Sequence, residues 1–191
     1  QRHYTLNEKE RQLALANTRG GTPLLVFAIL LKTCQHLGYF PALDEAPEKV
    51  VAHLRAQLRE QLPDTPSEPL NVSQPTLYSY HRLIRDHLGI QAFSLEVVEP
   101  LLRGRLTQAA QTMNWVTDLI NVAIEMLIKE NYELPAYSTL ERLAANVRTT
   151  VHNEIFQAID NRMTDELRSK VRQLLTPARK RGDTEGPQLG P

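Results

Sequence analysis

The sequence has little of what marks a secreted or membrane-spanning protein. Its single cysteine, Cys34, cannot form an intramolecular disulfide, which is typical of a reducing cytoplasm. Cys34 lies in an apolar stretch, so we interpret it as a small buried hydrophobe, with a nucleophile as the alternative. The longest apolar run, Leu24 to Leu31, is shorter than the roughly 20 residues that cross a bilayer. It also starts too late, and without a basic leader, to be a secretory signal.

The sequence also lacks an excess charge and any recognisable catalytic motif. Its 22 basic residues balance 22 acidic ones, so a DNA-binding surface would need a local segregation of charge. The six histidines include no pair four residues apart and no HExxH spacing, and neither a P-loop nor a GxGxxG motif is present. We therefore predict no catalytic residue, no metal site and no cofactor in this chain.

The periodicity of the apolar residues predicts an all-α protein, a multi-helix bundle. The stretch Leu25 to Pro41 is apolar on every side of a helix, which indicates a buried central helix that stops at Gly38. Further helices are predicted from Leu6 to Ala16 with Asn7 as N-cap, after Pro47, from Thr76 to Leu88, from Ser94 or Glu96 with Pro100 in the first turn, from Trp115 to Lys129 after an Asn114 cap, from a Ser138–Glu141 capping box, and after Thr164.

Proline-rich and polar stretches suggest how the chain is divided. Four prolines between Pro63 and Pro75 predict a loop, and residues 176–191 have the composition of a disordered linker. We predict a first helical unit over residues 1–93, a second over 94–175, and a tail over 176–191. Basic residues from Arg168 to Arg181, without an acid between them, either contact phosphate or simply keep this segment soluble.

Two segments about sixty residues apart look alike. Pro75 and Pro135 each precede a Tyr-Ser pair and an Arg-Leu pair, and each segment starts a new helix after a break. This is the outline of two helix-turn-helix-like units, in which polar residues of the second helix reach base edges in the major groove. The candidate DNA contacts, which include two arginines beside Gly104, are Thr76, Tyr78, His81, Arg82, Arg85, Arg103, Arg105, Tyr137, Thr139, Arg142 and Arg148. The same arginines would also fit a solvated or ion-paired surface, with Arg82 beside Asp86 and Arg142 beside Glu141.

Several motifs occur in the order and spacing of a known family. They are L-x-F-A-x-L-L-K and Q-x-L-G-Y-F-P in the central helix, Tyr4-Thr5-Leu6 before it, His81 to Phe93, and Leu134-Pro135 followed by Ser138 to Leu143. From Tyr4 to Leu175 the chain resembles the N-terminal domain of Tn-three-type transposases, the proteins of replicative bacterial transposons.

The resemblance implies a function for the chain. In that family the N-terminal region recognises the terminal inverted repeats, while catalysis by a DDE-type carboxylate site belongs to a separate domain further along the chain. We therefore expect sequence-specific binding of double-stranded DNA, with transposon ends, the remaining transposase chain and a second copy in a homodimer as partners. The expected location is the bacterial cytoplasm, associated with the nucleoid and not with a membrane. The alternative is a non-catalytic helical scaffold that binds protein.

Overall fold

A computed structural model of the chain describes residues 4–60, 62 and 70–175. These residues form eight α-helices and no β-strand, which confirms the predicted all-α class. The helices are α1 Glu8–Asn17, α2 Gly21–Leu37, α3 Glu48–Gln57, α4 Gln74–Leu88, α5 Leu95–Ala110, α6 Val116–Lys129, α7 Tyr137–Arg162 and α8 Asp165–Leu175. The chain divides into two compact units, residues 1–149 and 150–191. The predicted boundary near Phe93 stays a prediction.

Helix α2 is the centre of the first unit, as its apolar sequence predicts. Every residue from Leu24 to Cys34 is buried, because α1, α3 and α4 all pack against this one helix. Phe27 meets the ring of Tyr80 of α4 edge-on, with the ring centroids 5.1 Å apart. A fully apolar helix cannot leave one face in water, so it is covered on all sides. Helices α5 and α6 pack against each other further along the chain.

The core also holds one charged pair. Lys32 Nζ lies 2.7 Å from a carboxylate oxygen of Glu10, and the two side chains are only 6% and 2% exposed. Gln35 donates a further hydrogen bond to Glu10, and the backbone N–H of Asn7 donates to the same carboxylate. Burial would raise the pKa of Glu10, but the hydrogen bonds from Lys32, Asn7 and Gln35 outweigh it and lower that pKa on balance. The pair thereby fastens α1 to α2.

Most predicted helix ends are confirmed by their caps. Asn7 accepts a hydrogen bond from the backbone N–H of Glu10, and the Glu10 carboxylate accepts one from Asn7, a complete capping box. Gly38 and Gly89 end α2 and α4 in the left-handed conformation, with φ of 76° and 67°. Thr164 accepts a hydrogen bond from the backbone N–H of Leu167 at the start of α8.

Other predicted ends are wrong by a few residues. Helix α7 begins at Tyr137, so Ser138 lies inside its first turn and not at its cap. Trp115, and not Asn114, is the N-cap of α6. Pro100 lies inside α5 beyond its first turn, where its missing N–H removes one helical hydrogen bond. Packing of Val98, Leu102 and Leu106 holds α5 together across that proline.

The predicted loop ends earlier than expected, and part of it is outside the described residues. Helix α4 begins at Gln74 because Ser73 caps it and accepts from the Thr76 N–H, so Pro75 falls in the first turn. Residues 63–69 and the predicted tail 176–191 lie outside the described residues.

Candidate nucleic-acid interface

The segment before α7 is fastened to two earlier parts of the first unit. The backbone N–H of Leu134 donates to the carbonyl of Gly38 at 2.8 Å, and Glu133 N–H donates to the carbonyl of Gln91 at 2.8 Å. The approach at Gly38 is close, because a Cβ atom there would lie 3.1 Å from a methyl carbon of Leu134. The start of α7 is therefore held near the ends of α2 and α4.

A cleft of about 580 Å³ lies where these segments meet. Its walls come from the stretch after α2, from α4, from the stretch after α4 and from the residues before α7; they include Tyr39, Phe40, Pro41, Tyr78, His81, Arg85, Phe93, Glu133, Pro135 and Ala136. Ala136 directly precedes the first residue of α7. Three of the predicted DNA contacts, Tyr78, His81 and Arg85 of α4, therefore line this cleft, whereas no residue of α7 does.

His81 forms part of the wall of this cleft. Its ring stacks on Phe40, with the centroids 3.9 Å apart and the planes 12° from parallel. The buried Nε2 atom has no hydrogen-bond partner among the described residues. Burial, and to a smaller extent the charge of Arg85, lower the pKa of His81 to about 4. His81 is therefore neutral at pH 7 and adds no positive charge for a phosphate.

Arg85 already has an acidic partner inside the first unit. Its guanidinium lies 2.9 Å from a carboxylate oxygen of Glu133, with both side chains about four-fifths buried, and 5.8 Å above the ring of Phe40. This ion pair joins α4 to the segment before α7. Arg85 therefore helps to hold the walls of the cleft together, and Glu133 neutralises the charge of Arg85.

The two arginines beside Gly104, Arg103 and Arg105, also have partners within α5. Arg103 forms an ion pair with Glu99 one helical turn away at 2.6 Å. Arg105 is exposed, and its guanidinium donates a 3.4 Å hydrogen bond to the side-chain oxygen of Gln108. An exposed pair of this kind contributes little to stability, so a stronger anion could displace Glu99 from Arg103.

Besides Arg105, two arginines and two tyrosines among the candidates are exposed. Arg82 of α4 and Arg142 of α7 are exposed, and no carboxylate of a described residue lies within 4.0 Å of either. The ion pairs that the sequence allowed with Asp86 and Glu141 are therefore not formed. Tyr78 and Tyr137 are 68% and 58% exposed. These four side chains are open to solvent on the helices predicted to read DNA.

The remaining candidates are half-buried. Thr76 shares a 2.8 Å hydrogen bond with Ser73, which belongs to the cap of α4. Thr139 is half-buried in the first turn of α7. The Nε atom of Arg148 is buried without a hydrogen-bond partner among the described residues. None of the eleven predicted contacts is tested by these positions, and all of them stay predictions.

The two similar sequence segments do not begin their helices at the same place. Pro75 lies within α4, whereas Pro135 precedes the start of α7 by two residues. Tyr78 is accordingly in the second turn of its helix and Tyr137 is the first residue of its own. The local sequence match therefore does not make the two segments structurally equivalent, and the helix-turn-helix interpretation stays a prediction.

The described part of the chain has no arrangement of side chains suited to a metal site or to a cysteine nucleophile. No three His, Cys, Asp or Glu side chains there are grouped so that they could hold a metal ion. Cys34 is buried as predicted, and burial raises the pKa of its thiol to about 12, so the thiolate is not formed at pH 7. Among the same residues no helix is both long and apolar enough to cross a membrane.

The described residues form an all-helical module in which Arg82 and Tyr78 of α4, and Arg142 and Tyr137 of α7, are exposed. The chain belongs to the family described as "domain of unknown function (DUF4158)", whose model matches residues 1–147. It is 27% identical over 175 residues to the transposase for transposon Tn501 of Pseudomonas aeruginosa. It is 23% identical over 175 residues to the transposase for transposon Tn1546 of Enterococcus faecium.

These comparisons confirm the resemblance to the N-terminal domain of Tn-three-type transposases. Each alignment covers 91% of this chain, but the chain spans only 17% of the length of either relative. The chain is therefore related to a part of those transposases.

Sequence reasoning missed the cleft itself. Phe40 and Glu133 hold His81 and Arg85 in place, yet neither appears among the predicted contacts. The motifs G-Y-F-P and E-L-P, in which Phe40 and Glu133 occur, were visible as breaks between helices. Which of the breaks meet in space depends on tertiary packing, and periodicity does not report it.

Proposed function

We propose that this chain binds duplex DNA in a sequence-specific way, at the terminal inverted repeats of a replicative transposon. It would act as the N-terminal region of a transposase whose DDE-type catalytic domain is elsewhere in the protein. Its partners would then be the transposon ends and the remaining transposase chain, in the bacterial cytoplasm at the nucleoid. The observation that carries the proposal is the exposure of Arg82 and Arg142, with no acidic partner among the described residues, in a relative of two transposases.

The positions of these arginines support base readout as well as attraction to phosphate. Arg82 lies four residues after Tyr78 on α4, so both side chains project from the same side of that helix. Arg142 lies in the second turn of α7, close to the end of the helix that points N–H groups outward. An arginine that forms two hydrogen bonds with a guanine contributes about 1–3 kcal/mol of discrimination. The hydrogen bonds that hold the segment before α7 to Gly38 and Gln91 would fix the distance between the two contacts.

The test is a salt titration of duplex binding by the 191-residue chain. A fluorescent duplex with the terminal inverted repeat of Tn501 would be compared with a scrambled duplex of equal length, for the wild type and for Arg82→Ala with Arg142→Ala. We expect the wild type to prefer the repeat and the double variant to lose that preference. The slope of log K against log salt concentration should also become shallower by roughly two in the double variant.

The matched control is Arg19→Ala with Arg59→Ala, which removes the same charge from two exposed positions outside the interface. The control should keep the preference for the repeat. Equal binding of both duplexes by the wild type would contradict specific recognition of that repeat. Loss of preference in the control as well would assign the effect to net charge.

A second candidate function is a non-catalytic domain that binds protein. It is favoured by large apolar side chains that are exposed in the unit that starts at residue 150, such as Phe156 at 67% and Leu174 at 85%. Failure to bind either duplex at low salt would favour this candidate.

A further inference from the structure

Aromatic rings are concentrated in the wall of the cleft beside α4. Aromatic residues make up only 6% of the sequence, yet four of them and one histidine line this cleft: Tyr39, Phe40, Tyr78, Phe93 and His81. Tyr78 and Tyr39 are 68% and 40% exposed, so two of the rings are open to solvent. Exposed aromatic faces favour a second flat ring as ligand, because stacking removes both faces from water.

The charges of the cleft do not suit a phosphate. Among the described residues that line it, Arg85 is the only lysine or arginine, and Glu133 neutralises it at 2.9 Å. Glu45 adds a second carboxylate to the wall. A ligand of this cleft is therefore expected to be flat and uncharged.

Polar atoms in the wall remain for the edge of such a ring. The ion pair joins one nitrogen of Arg85 to one oxygen of Glu133, and neither side chain forms another hydrogen bond with a described residue. The buried Nε2 atom of His81 also lacks a partner among the residues that the structure describes. A nucleobase combines a flat face with an edge of donors and acceptors, which suits both features of the wall.

The surroundings of the cleft suit the backbone that would carry the base. Arg82 is exposed and has no acidic partner among the described residues. It follows Tyr78 by one turn of α4, so both side chains project from the same side of that helix. A phosphate beside the cleft can thus contact Arg82 while the attached base stacks inside. The hydrogen bond from Leu134 to Gly38 fastens the walls beforehand, which lowers the cost of ordering them.

We propose that the cleft receives one unpaired nucleobase of the bound DNA, which stacks on the aromatic rings of the wall. The inference rests on the DNA binding proposed above, but not on its sequence specificity. Extrusion of a base from a duplex costs unstacking and unpairing, so a base that is already unpaired is received more readily. DNA with an unpaired base is therefore the preferred ligand.

The test compares two labelled duplexes by fluorescence anisotropy with the 191-residue chain. Both have the same scrambled sequence and a central bulge of three nucleotides, which carries three adenines in one duplex and three abasic sugars in the other. The two duplexes have the same number of phosphates, so a difference in affinity reports the bases. We expect the wild type to bind the duplex with the adenines about tenfold more tightly, as stacking of a base on an aromatic side chain predicts.

The variant Tyr39→Leu with Phe93→Leu removes two rings from the cleft and keeps apolar side chains there. It should reduce the difference between the two duplexes to less than about twofold, because the stacking surface is lost. Its affinity for the abasic duplex should stay unchanged, since the contacts to phosphate remain, and this unchanged affinity shows that the variant is folded.

The matched control is Trp115→Leu with Phe156→Leu, which removes two exposed rings that do not line the cleft. The control should keep the full preference for the duplex with the adenines.

Two outcomes overturn the proposal. The first is equal binding of the two bulged duplexes by the wild type, which would favour a protein side chain as the ligand of the cleft. The second is a preference for the adenines that the cleft variant retains or that the control also loses. Failure of the proposed function is distinguishable, because equal affinity for the Tn501 repeat and its scrambled duplex leaves the difference between the bulged duplexes intact. Absence of binding to any duplex would contradict both.

Discussion

Helices α2 and α8 both contain many apolar residues, yet most of α2 is buried and no residue of α8 is. Residues Leu24 to Cys34 of α2 are all buried, whereas no residue of α8 is. The difference lies in the pattern: α2 is apolar around its whole circumference, while α8 has one stripe and a charged remainder. A helix that is apolar all round, such as α2, is buried by several neighbours. A helix with one apolar stripe, such as α8, keeps its charged remainder in water.

The largest expected effect comes from breaking the charged pair of the core. Lys32→Met leaves the Glu10 carboxylate buried without its partner, which should lower the free energy of unfolding by about 3–5 kcal/mol. The ion pair used for comparison is the one between Lys170 and Glu166 of α8, whose side chains are 65% and 78% exposed. Lys170→Met should cost no more than about 0.5 kcal/mol.

Urea unfolding followed by circular dichroism measures both changes. A double variant, Glu10→Leu with Lys32→Met, should recover part of the loss, because no unpaired charge then remains in the core. Equal urea midpoints for Lys32→Met and Lys170→Met would contradict the contrast between the two regions.

Replacing one leucine by alanine in α2 and one in α8 compares the stability that each helix contributes. Leu30 of α2 is 1% exposed, so Leu30→Ala leaves a cavity and should cost about 2–5 kcal/mol. Leu174 of α8 is 85% exposed, so Leu174→Ala should change the stability of the monomer by less than about 0.5 kcal/mol. Thermal unfolding gives both values. A similar shift of the two midpoints would show that α8 is covered within its own chain.

A smaller effect concerns pH and is confined to the first unit. The pKa of His81 is lowered from 6.5 to about 4 by burial. Between these values the unfolded chain binds a proton that the folded chain does not, so stability is lost as the pH falls through this range. The loss from His81 should be on the order of 1–3 kcal/mol between about pH 7 and about pH 4.

The measurement is urea unfolding at several pH values for the wild type and for His81→Phe. The variant keeps a ring against Phe40 but does not titrate, so its stability should fall less with acid. His87→Phe at an exposed position serves as the control and should follow the wild type. A His81→Phe profile that parallels the wild type would place the acid sensitivity elsewhere.

The sequence was sufficient for the features that depend on local pattern. The unbroken apolar run of α2 predicted a central helix, and Asn7, Gly38 and Gly89 predicted helix ends, because capping depends on residues within one turn. The Ser138 cap was wrong for the opposite reason. There the segment before α7 is set by hydrogen bonds to Gly38 and Gln91, which are distant in sequence.

The candidate interface was predictable only in part. The spacing of arginines and tyrosines identified Arg82, Arg142, Tyr78 and Tyr137, all of which are exposed. It could not reveal that Arg85 is paired with Glu133, since the two residues are 48 positions apart. Long-range ion pairs follow from tertiary packing, and one sequence carries no direct signal for them.

The most direct test of the central claim is an in vitro selection of duplexes from a random pool by the wild-type chain, at a salt concentration that suppresses contact with phosphate alone. We predict enrichment of one sequence with two conserved segments. Arg82→Ala and Arg142→Ala should each relax a different segment, because the proposed function assigns separate parts of the site to the two helices. Recovery of a pool as random as the starting one would contradict sequence-specific DNA binding by this chain.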